Sequence, residues 1–448
     1  MTFKRKIYDK LLAWKNSPVR NSALLIEGAR RIGKSTIVEE FGKNEYEDFL
    51  LLDFMYATKE IKDLFLNLNN LDLFFSNLFL LTGKVLKKGG LIIFDEVQFC
   101  PTARQAIKLL VKDGRYDYIE TGSLLSIRDN TENISIPSEE RRIEMYPMDY
   151  EEFLWAFGKK NIADTLRIFY NEKKEIQNSV HEELLKNYRL YLALGGMPKV
   201  ISIFQTTNSF LEAELEKQDI IKLYRDDLLK HDSRYKTVCR MLYNNLANEL
   251  NNTNSRFNVS KVFENKRASQ LEESLFDLRD SKICNVCYRS TDPTYGLELS
   301  KNESFFKLYG NDIGLTTSLV FSEMGLNPDA IYKLIMFDKL NGNFGKIFES
   351  AVCQGLTSLG IVPYYHTYQL KGENDETKFY EIDFIIQLHG NVTAIEVKSG
   401  QNFTTSSLDR LSIKYNSLKF RKIIISTKPF KYKNDILFLP IYMLFCLE

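Results

Sequence analysis

Net charge is almost absent from this sequence: 60 Lys and Arg against 59 Asp and Glu leave a formal +1. The chain as a whole therefore has no field to draw it onto nucleic acid or lipid, and any such binding must come from a local patch. Long apolar runs are missing too. The N-terminal MTFKRKIYDKLLAWKNS holds neither an uninterrupted apolar stretch nor a small-residue cleavage site, and reads as a first helix, not a signal peptide. The most apolar stretch, Leu71–Leu81, is short and contains Asn and Asp, so no membrane partner is expected. Cysteine is sparse: six in 448 residues make no disulfide framework. Cys284 and Cys287 form a lone CxxC with no second pair or two histidines nearby, and read as ordinary cysteines on a strand or turn. A cytoplasmic, reducing compartment is expected. Internal repeats and low-complexity tracts are absent as well.

What is present suits a soluble globular chain of about two to four domains, with 44% hydrophobic and 27% charged residues. The first third alternates short apolar runs (Ala23–Glu27, Asp48–Phe54, Gly90–Asp95, Tyr116–Ile119) with helical patterns, which indicates a parallel, doubly wound sheet. From about Pro147 to His231 the period turns helical, broken at Gly195-Gly-Met-Pro198. Lys236 to Thr316 suits a small helical domain with a β-hairpin. The chain from Asn343 onward begins with a helix and ends in strands, of which Ala394–Val397 and Lys422–Ser426 are clearest.

Gly28-Ala29-Arg30-Arg31-Ile32-Gly33-Lys34-Ser35 fits GxxxxGK[ST] in full, between an apolar strand and a helix. The two glycines let the backbone curl so that its N–H groups face phosphate oxygens, and the helix N-terminus adds partial positive charge. Lys34 is placed for the β- and γ-phosphates and Ser35 for Mg²⁺; residues 28–35 with Thr36 form the expected nucleotide-binding set. Leu91-Ile-Ile-Phe-Asp95-Glu96 is its partner, an apolar strand ending in acids about sixty residues later. Asp95 can hold Mg²⁺, and Glu96 can orient or deprotonate the attacking water. Thr121 and Ser123 follow the next strand and either contact the γ-phosphate or water, or cap a turn. Arg141 and Arg142 either supply a positive charge to the γ-phosphate, in cis or from a neighbouring subunit, or form a solvated charged turn; Arg142 is the candidate.

A second constellation lies near the C-terminus. Glu349 sits on a helical segment, Asp383 at the start of a strand, and Glu396 and Lys398 on one face of a neighbouring strand by period-two geometry. Two carboxylates with a lysine is what metal-assisted phosphodiester cleavage needs. Asp383 and Glu396 would hold Mg²⁺, Glu349 would complete the metal site, and Lys398 would steer or deprotonate water. Eight Lys or Arg against two acids from Asp409 to Asp435 either follow a phosphate backbone or form a solvated face.

These segments occur in a familiar order: the loop at Gly28–Ser35, Leu91–Glu96, Thr121-Gly-Ser, Tyr146-Pro-Met-Asp-Tyr-Glu-Glu-Phe153, Gly195-Gly-Met-Pro198, Tyr224-Arg-Asp-Asp227, Phe306–Gly314, Glu381-Ile-Asp-Phe and Ile395-Glu-Val-Lys-Ser-Gly400. Over nearly all its length the chain resembles prokaryotic AAA-type ATPases with an uncharacterised C-terminal domain. The resemblance implies an α/β fold with a P-loop NTPase parallel sheet core at 1–155 and a helical lid at 156–235. A winged-helix-like module would follow at 236–325, then a PD-(D/E)XK nuclease-like α/β domain, like a restriction endonuclease, at 326–448. In that domain Asp383, Glu396 and Lys398 match the nuclease motif and Glu349 its helix glutamate. ATP and Mg²⁺ are the expected cofactors, DNA is the candidate macromolecular partner, and a homo-oligomer is compatible with the sequence. The expected function is an ATPase that couples nucleotide state to DNA handling. The alternative is a nucleotide-controlled switch whose C-terminal domain only binds.

Overall fold

The computed structural model describes residues 2–18, 21–122, 138–230, 239–244, 246, 275–276, 278–294, 296–323, 327–336, 344–371, 376–400 and 402–448. Ser123 and the Asn251–Asn258 loop lie outside them. The chain divides into two compact units, one built mainly from Met1–Tyr146 and the other mainly from Pro147–Lys230 and Ile283–Glu448.

In the first unit, β1 (Ala23–Glu27), β2 (Phe49–Asp53), β3 (Leu91–Asp95), β4 (Asp117–Gly122) and β5 (Glu140–Glu144) form one sheet in the order β2-β3-β4-β1-β5. Every neighbouring pair is parallel. Parallel sheets are covered on both faces, so their central strands read as unbroken apolar runs. β1 and β3 do so, being buried at every position up to a terminal carboxylate. The outer strand β5 reads ERRIE and is only partly buried. The helices are α1 (Ile7–Lys15), α2 (Lys34–Glu45), α3 (Lys59–Leu64), α4 (Leu71–Thr82) and α5 (Pro101–Asp113). The most apolar stretch of the sequence is α4, started by Asn70, whose side chain accepts from the Leu73 N–H at 3.0 Å, and stopped at left-handed Gly83. It turns Phe74, Phe75 and Leu78 into the core. There Phe65 meets Phe54, Phe74 and Phe94 edge-on at centroid distances of 5.6, 5.2 and 5.5 Å, the arrangement that ring quadrupoles favour.

The second unit opens with α6 (Tyr150–Ala156), α7 (Lys160–Asn171), α8 (Asn178–Leu194), α9 (Pro198–Thr207) and α10 (Phe210–Lys230). An eight-stranded mixed sheet follows. Its strands are β6 (Cys284–Ser290), β7 (Lys301–Gly310), β8 (Tyr364–Lys371), β9 (Thr377–Leu388), β10 (Asn391–Lys398), β11 (Arg421–Ser426), β12 (Lys431–Lys433) and β13 (Ile436–Pro440), in the order β12-β13-β11-β10-β9-β8-β6-β7. Helices α11 (Ile313–Glu323), α12 (Pro328–Met336), α13 (Phe344–Ser358) and α14 (Ser406–Lys414) and the 3₁₀ helix Ile441–Leu447 also belong to this unit. No helix of the described residues is long and apolar enough to cross a membrane.

The β6–β7 hairpin pairs through β6 with β8, so a boundary at 325/326 cuts across a continuous hydrogen-bonded sheet. Cys284 and Cys287 lie on β6 as buried free thiols. β9 begins at Thr377, earlier than its acids suggested, because Tyr380 and Glu381 pair with Tyr368 and Thr367 of β8. Asp383 is therefore inside a strand, not at its start. The Gly195-Gly-Met-Pro and Phe306–Gly314 segments are locked together by a buried carboxylate. Asp312 accepts from the Gly196 N–H at 2.6 Å and from the Leu315 N–H at 2.9 Å. Buried Lys217 pairs with Glu214 at 2.9 Å and donates to the Ala193 carbonyl at 2.9 Å.

Candidate functional site

The loop between β1 and α2 is shaped by its glycines. A side chain on Gly28 would come within 2.4 Å of the Met145 carbonyl oxygen, and Gly33 stands at φ +95°, a conformation open chiefly to glycine. Arg31, at φ +68°, holds a left-handed conformation with a full side chain. Lys34 opens α2 and folds back into the loop, donating to the carbonyls of Gly28 at 3.0 Å and Ala29 at 2.8 Å. Burial lowers its proton affinity to a pKa of about 8, against the opposing pull of Glu96 and Asp95.

The end of β3 meets this loop. Ser35 Oγ donates to Asp95 Oδ1 at 2.9 Å, and Thr121 Oγ1, at the end of β4, donates to the same oxygen. Thr121 also accepts from the Glu96 N–H at 3.3 Å. It thus joins the two acids of the motif, a role that neither sequence alternative named. Glu96 leaves the strand at φ +53°. Its carboxylate accepts from the side-chain amide of Gln98, which lies in the short 3₁₀ turn Val97–Phe99. Gln98 escaped sequence reading because only that turn brings it back on Glu96.

Arg142 is engaged elsewhere. It sits on β5 opposite Leu25, two positions before the strand end, donating to Glu140 at 3.0 Å and lying 3.5 Å from Glu27. Arg104 of α5 binds both oxygens of Glu140 at 3.1 Å, and both side chains are buried. Glu120 of β4 is fully buried with neither oxygen partnered. Burial, with Glu140 beside it, raises its pKa well above the carboxylate range. Arg142, the candidate for the γ-phosphate, thus lies beside two carboxylates of the sheet, with its side chain 42% exposed.

In the second unit the sheet gathers the predicted acids and Lys398 and adds a residue that the sequence did not single out. Lys398 donates to Glu396, and Asp383 accepts from the Val397 N–H at 2.8 Å. Burial, then Glu349, raise Asp383 to a pKa of about 6. Burial, then Asp383, raise Glu396 to about 8, and Glu396 Oε1 is buried without a partner. Lys307 of β7, 2% exposed, stands 2.7 Å from Glu381 and 3.8 Å from Glu349. Burial opposes its charge, but Glu349, Glu381 and Asp383 outweigh it and hold its pKa above the usual lysine range. Glu349 also takes Lys346 at 2.9 Å and the Tyr309 hydroxyl at 3.1 Å. Among the described residues no group of three or more His, Cys, Asp or Glu converges to hold a metal ion. Glu349, expected to complete the metal site, faces two lysines and a tyrosine here.

Comparison with known families matches residues 20–154 to the model described as AAA domain. This stretch is therefore similar to an AAA domain. Residues 185–329 and 344–444 match two domains of unknown function, DUF8612 and DUF4143. Comparison with curated proteins returns no match. Among solved structures, the Drosophila ORC bound to DNA is 13% identical, with 72% of this chain and 94% of that chain covered and a TM-score of 0.27. Protein VC1899 from Vibrio cholerae is 11% identical, with 91% and 90% covered and a TM-score of 0.16. Likenesses at those scores carry no weight for this chain.

The first unit has a donor set that fits a triphosphate and its cation. Ser35 Oγ and Asp95 Oδ1, 2.9 Å apart, span the edge of an oxygen octahedron with bonds of about 2.1 Å, which fits Mg²⁺. Lys34 supplies the ammonium beside them, and the N-terminus of α2 adds its partial charge.

Proposed function

We propose that the protein is an ATP hydrolase whose AAA domain drives DNA handling through the acid–lysine site of the second unit. The observation that carries the first part is the Ser35–Asp95 contact at 2.9 Å, beside a buried Lys34 seated in the loop. In this reading the backbone of residues 28–35 cradles the polyphosphate and Lys34 neutralises its β- and γ-oxygens. Ser35 and Asp95 hold Mg²⁺, which offsets charge on the transferring phosphoryl group. Glu96 orients the attacking water and takes its proton. Lys34→Ala abolishes ATP binding, whereas Glu96→Gln binds ATP and loses turnover. Wild-type hydrolysis by Lys34→Ala would disprove the assignment.

The second part is supported by Asp383 and Glu396, two buried acids that repel each other next to Lys398. Such a pair gains from a divalent cation, and the unpartnered Glu396 Oε1 offers it an oxygen. Asp383 and Glu396 would hold the ion while Lys398 steers water to a phosphodiester. The deciding experiment is ATP hydrolysis with and without DNA, followed by DNA cleavage in Mg²⁺ or Mn²⁺. Stimulation by DNA, and cleavage lost in Lys398→Ala, are the expected results; equal cleavage by wild type and Lys398→Ala would mean a contaminant.

One observation favours a switch that binds without cutting. Lys307, Lys346 and Lys398 already neutralise much of the acid cluster. That reading gains if ATP turnover is slow and DNA, at low salt, is bound but not cleaved.

A further inference from the structure

Gln98 occupies a position that packing alone would give to a leucine or methionine. It is 6% exposed, and its side-chain oxygen is buried without a partner. A buried amide with an unmet acceptor is costly, so the donor half must account for the residue. That half donates to Glu96 Oε2. The backbone is bent to allow it: Glu96 takes a left-handed φ of +53°, uncommon for a non-glycine residue, and the chain then makes a 3₁₀ turn over Val97–Phe99. On its other side the Glu96 N–H is held by Thr121, which also binds Asp95. The acid is thus fixed through its main chain by β4 and through its carboxylate by Gln98.

We propose that Gln98 is the positioning residue of Glu96, fixing one carboxylate oxygen by an amide hydrogen bond so that the other faces the attacking water. The proposal rests on the ATPase reading above. A bond to one oxygen sets the plane of the carboxylate, and a general base acts only from within hydrogen-bond reach of the proton it takes. Gln98 touches no phosphate group in this role, so substrate binding does not depend on it.

The test is steady-state and single-turnover ATP hydrolysis by the full chain, with Gln98→Met as the isosteric variant that lacks the donor. The expected result is a kcat lower by about tenfold with KM for ATP within about twofold. In a Glu96→Gln background the same substitution should change residual turnover by less than about twofold, because its partner is already gone. Gln98→Met turning over at the wild-type rate, or a full tenfold loss persisting in the Glu96→Gln background, would overturn the assignment. If wild type itself shows no turnover, both readings fall; if wild type hydrolyses ATP and Gln98→Met matches it, this one falls alone.

Discussion

Ser35 Oγ donates to Asp95 Oδ1 at 2.9 Å, joining the start of α2 to the end of β3 across 60 residues of sequence. If these two oxygens share a magnesium ion, the ion should tighten nucleotide binding through them. Ser35→Ala should cut the ratio of ATP affinities in Mg²⁺ and in EDTA by about tenfold while leaving the EDTA affinity nearly unchanged. Titration calorimetry under the two conditions measures it; an unchanged ratio would place the cation elsewhere.

Lys34 gives the nucleotide site a pH dependence. Burial lowers its pKa to about 8, so the free protein loses the ammonium as pH rises through that value. Only the charged form attracts phosphate, and bound polyphosphate would restore the proton. ATP affinity should therefore be nearly flat below pH 7 and fall by about tenfold by pH 9, with proton uptake on binding in that window. Lys34→Arg, which stays charged, should lose this dependence even if it binds more weakly. Calorimetry in buffers of different ionisation enthalpy reads the proton directly.

The buried face of the first unit separates two glutamates of opposite character. Glu140 neutralises Arg104 through two bonds at 3.1 Å, with both side chains almost fully buried. Glu140→Gln would leave a buried guanidinium uncompensated, a loss of about 3–5 kcal/mol. Burial, then Glu140, disfavours the charged form of Glu120, so Glu120→Gln, which removes that charge, should cost less than about 1 kcal/mol at pH 7. Thermal unfolding of the two variants should differ in that order. Equal losses would mean that Glu120 is ionised and paired.

How far these sites can be read ahead of the fold depends on sequence distance. The phosphate loop was legible because its chemistry is packed into eight consecutive residues, and the strand before it had to be apolar to be buried on both faces. Asp95 was legible for the same reason, as the first polar residue after LIIF. Lys307 was not. It reaches Glu381 only because β7 and β6 continue the sheet beyond β8, and no local pattern announces that order. Arg142 read either as a γ-phosphate arginine or as part of a solvated charged turn; it belongs to β5, where it remains exposed and register places it near Glu27 and Glu140. Glu349 read as completing a cation site; Lys346, one turn before it on α13, and Lys307, brought in by β7, lie against it.

The raised carboxylates of the second unit make its stability fall with rising pH. Asp383 and Glu396 bind their protons more tightly in the folded chain, with pKa values near 6 and near 8, than acids do in an unfolded one. A group of this kind favours folding at low pH, and its contribution is lost as pH climbs from the ordinary carboxylate range through those values. Lys398 opposes the trend, since Glu396 and Asp383 hold its own proton more firmly despite burial. Replacing Glu396 by glutamine removes the later titration and the repulsion on Asp383. Glu396→Gln should melt higher than wild type at pH 8.5 and differ little at pH 5, where Glu396 is already protonated. Millimolar Mn²⁺ at pH 8.5 should raise the wild-type melting temperature by several degrees, because an ion bound only to the folded acids stabilises them by mass action. It should leave the variant nearly unmoved. Should Glu396→Gln melt lower at every pH and Mn²⁺ do nothing to wild type, the acids are held by Lys398 and Lys307 as structural ion pairs, and the cluster has no place for a catalytic cation.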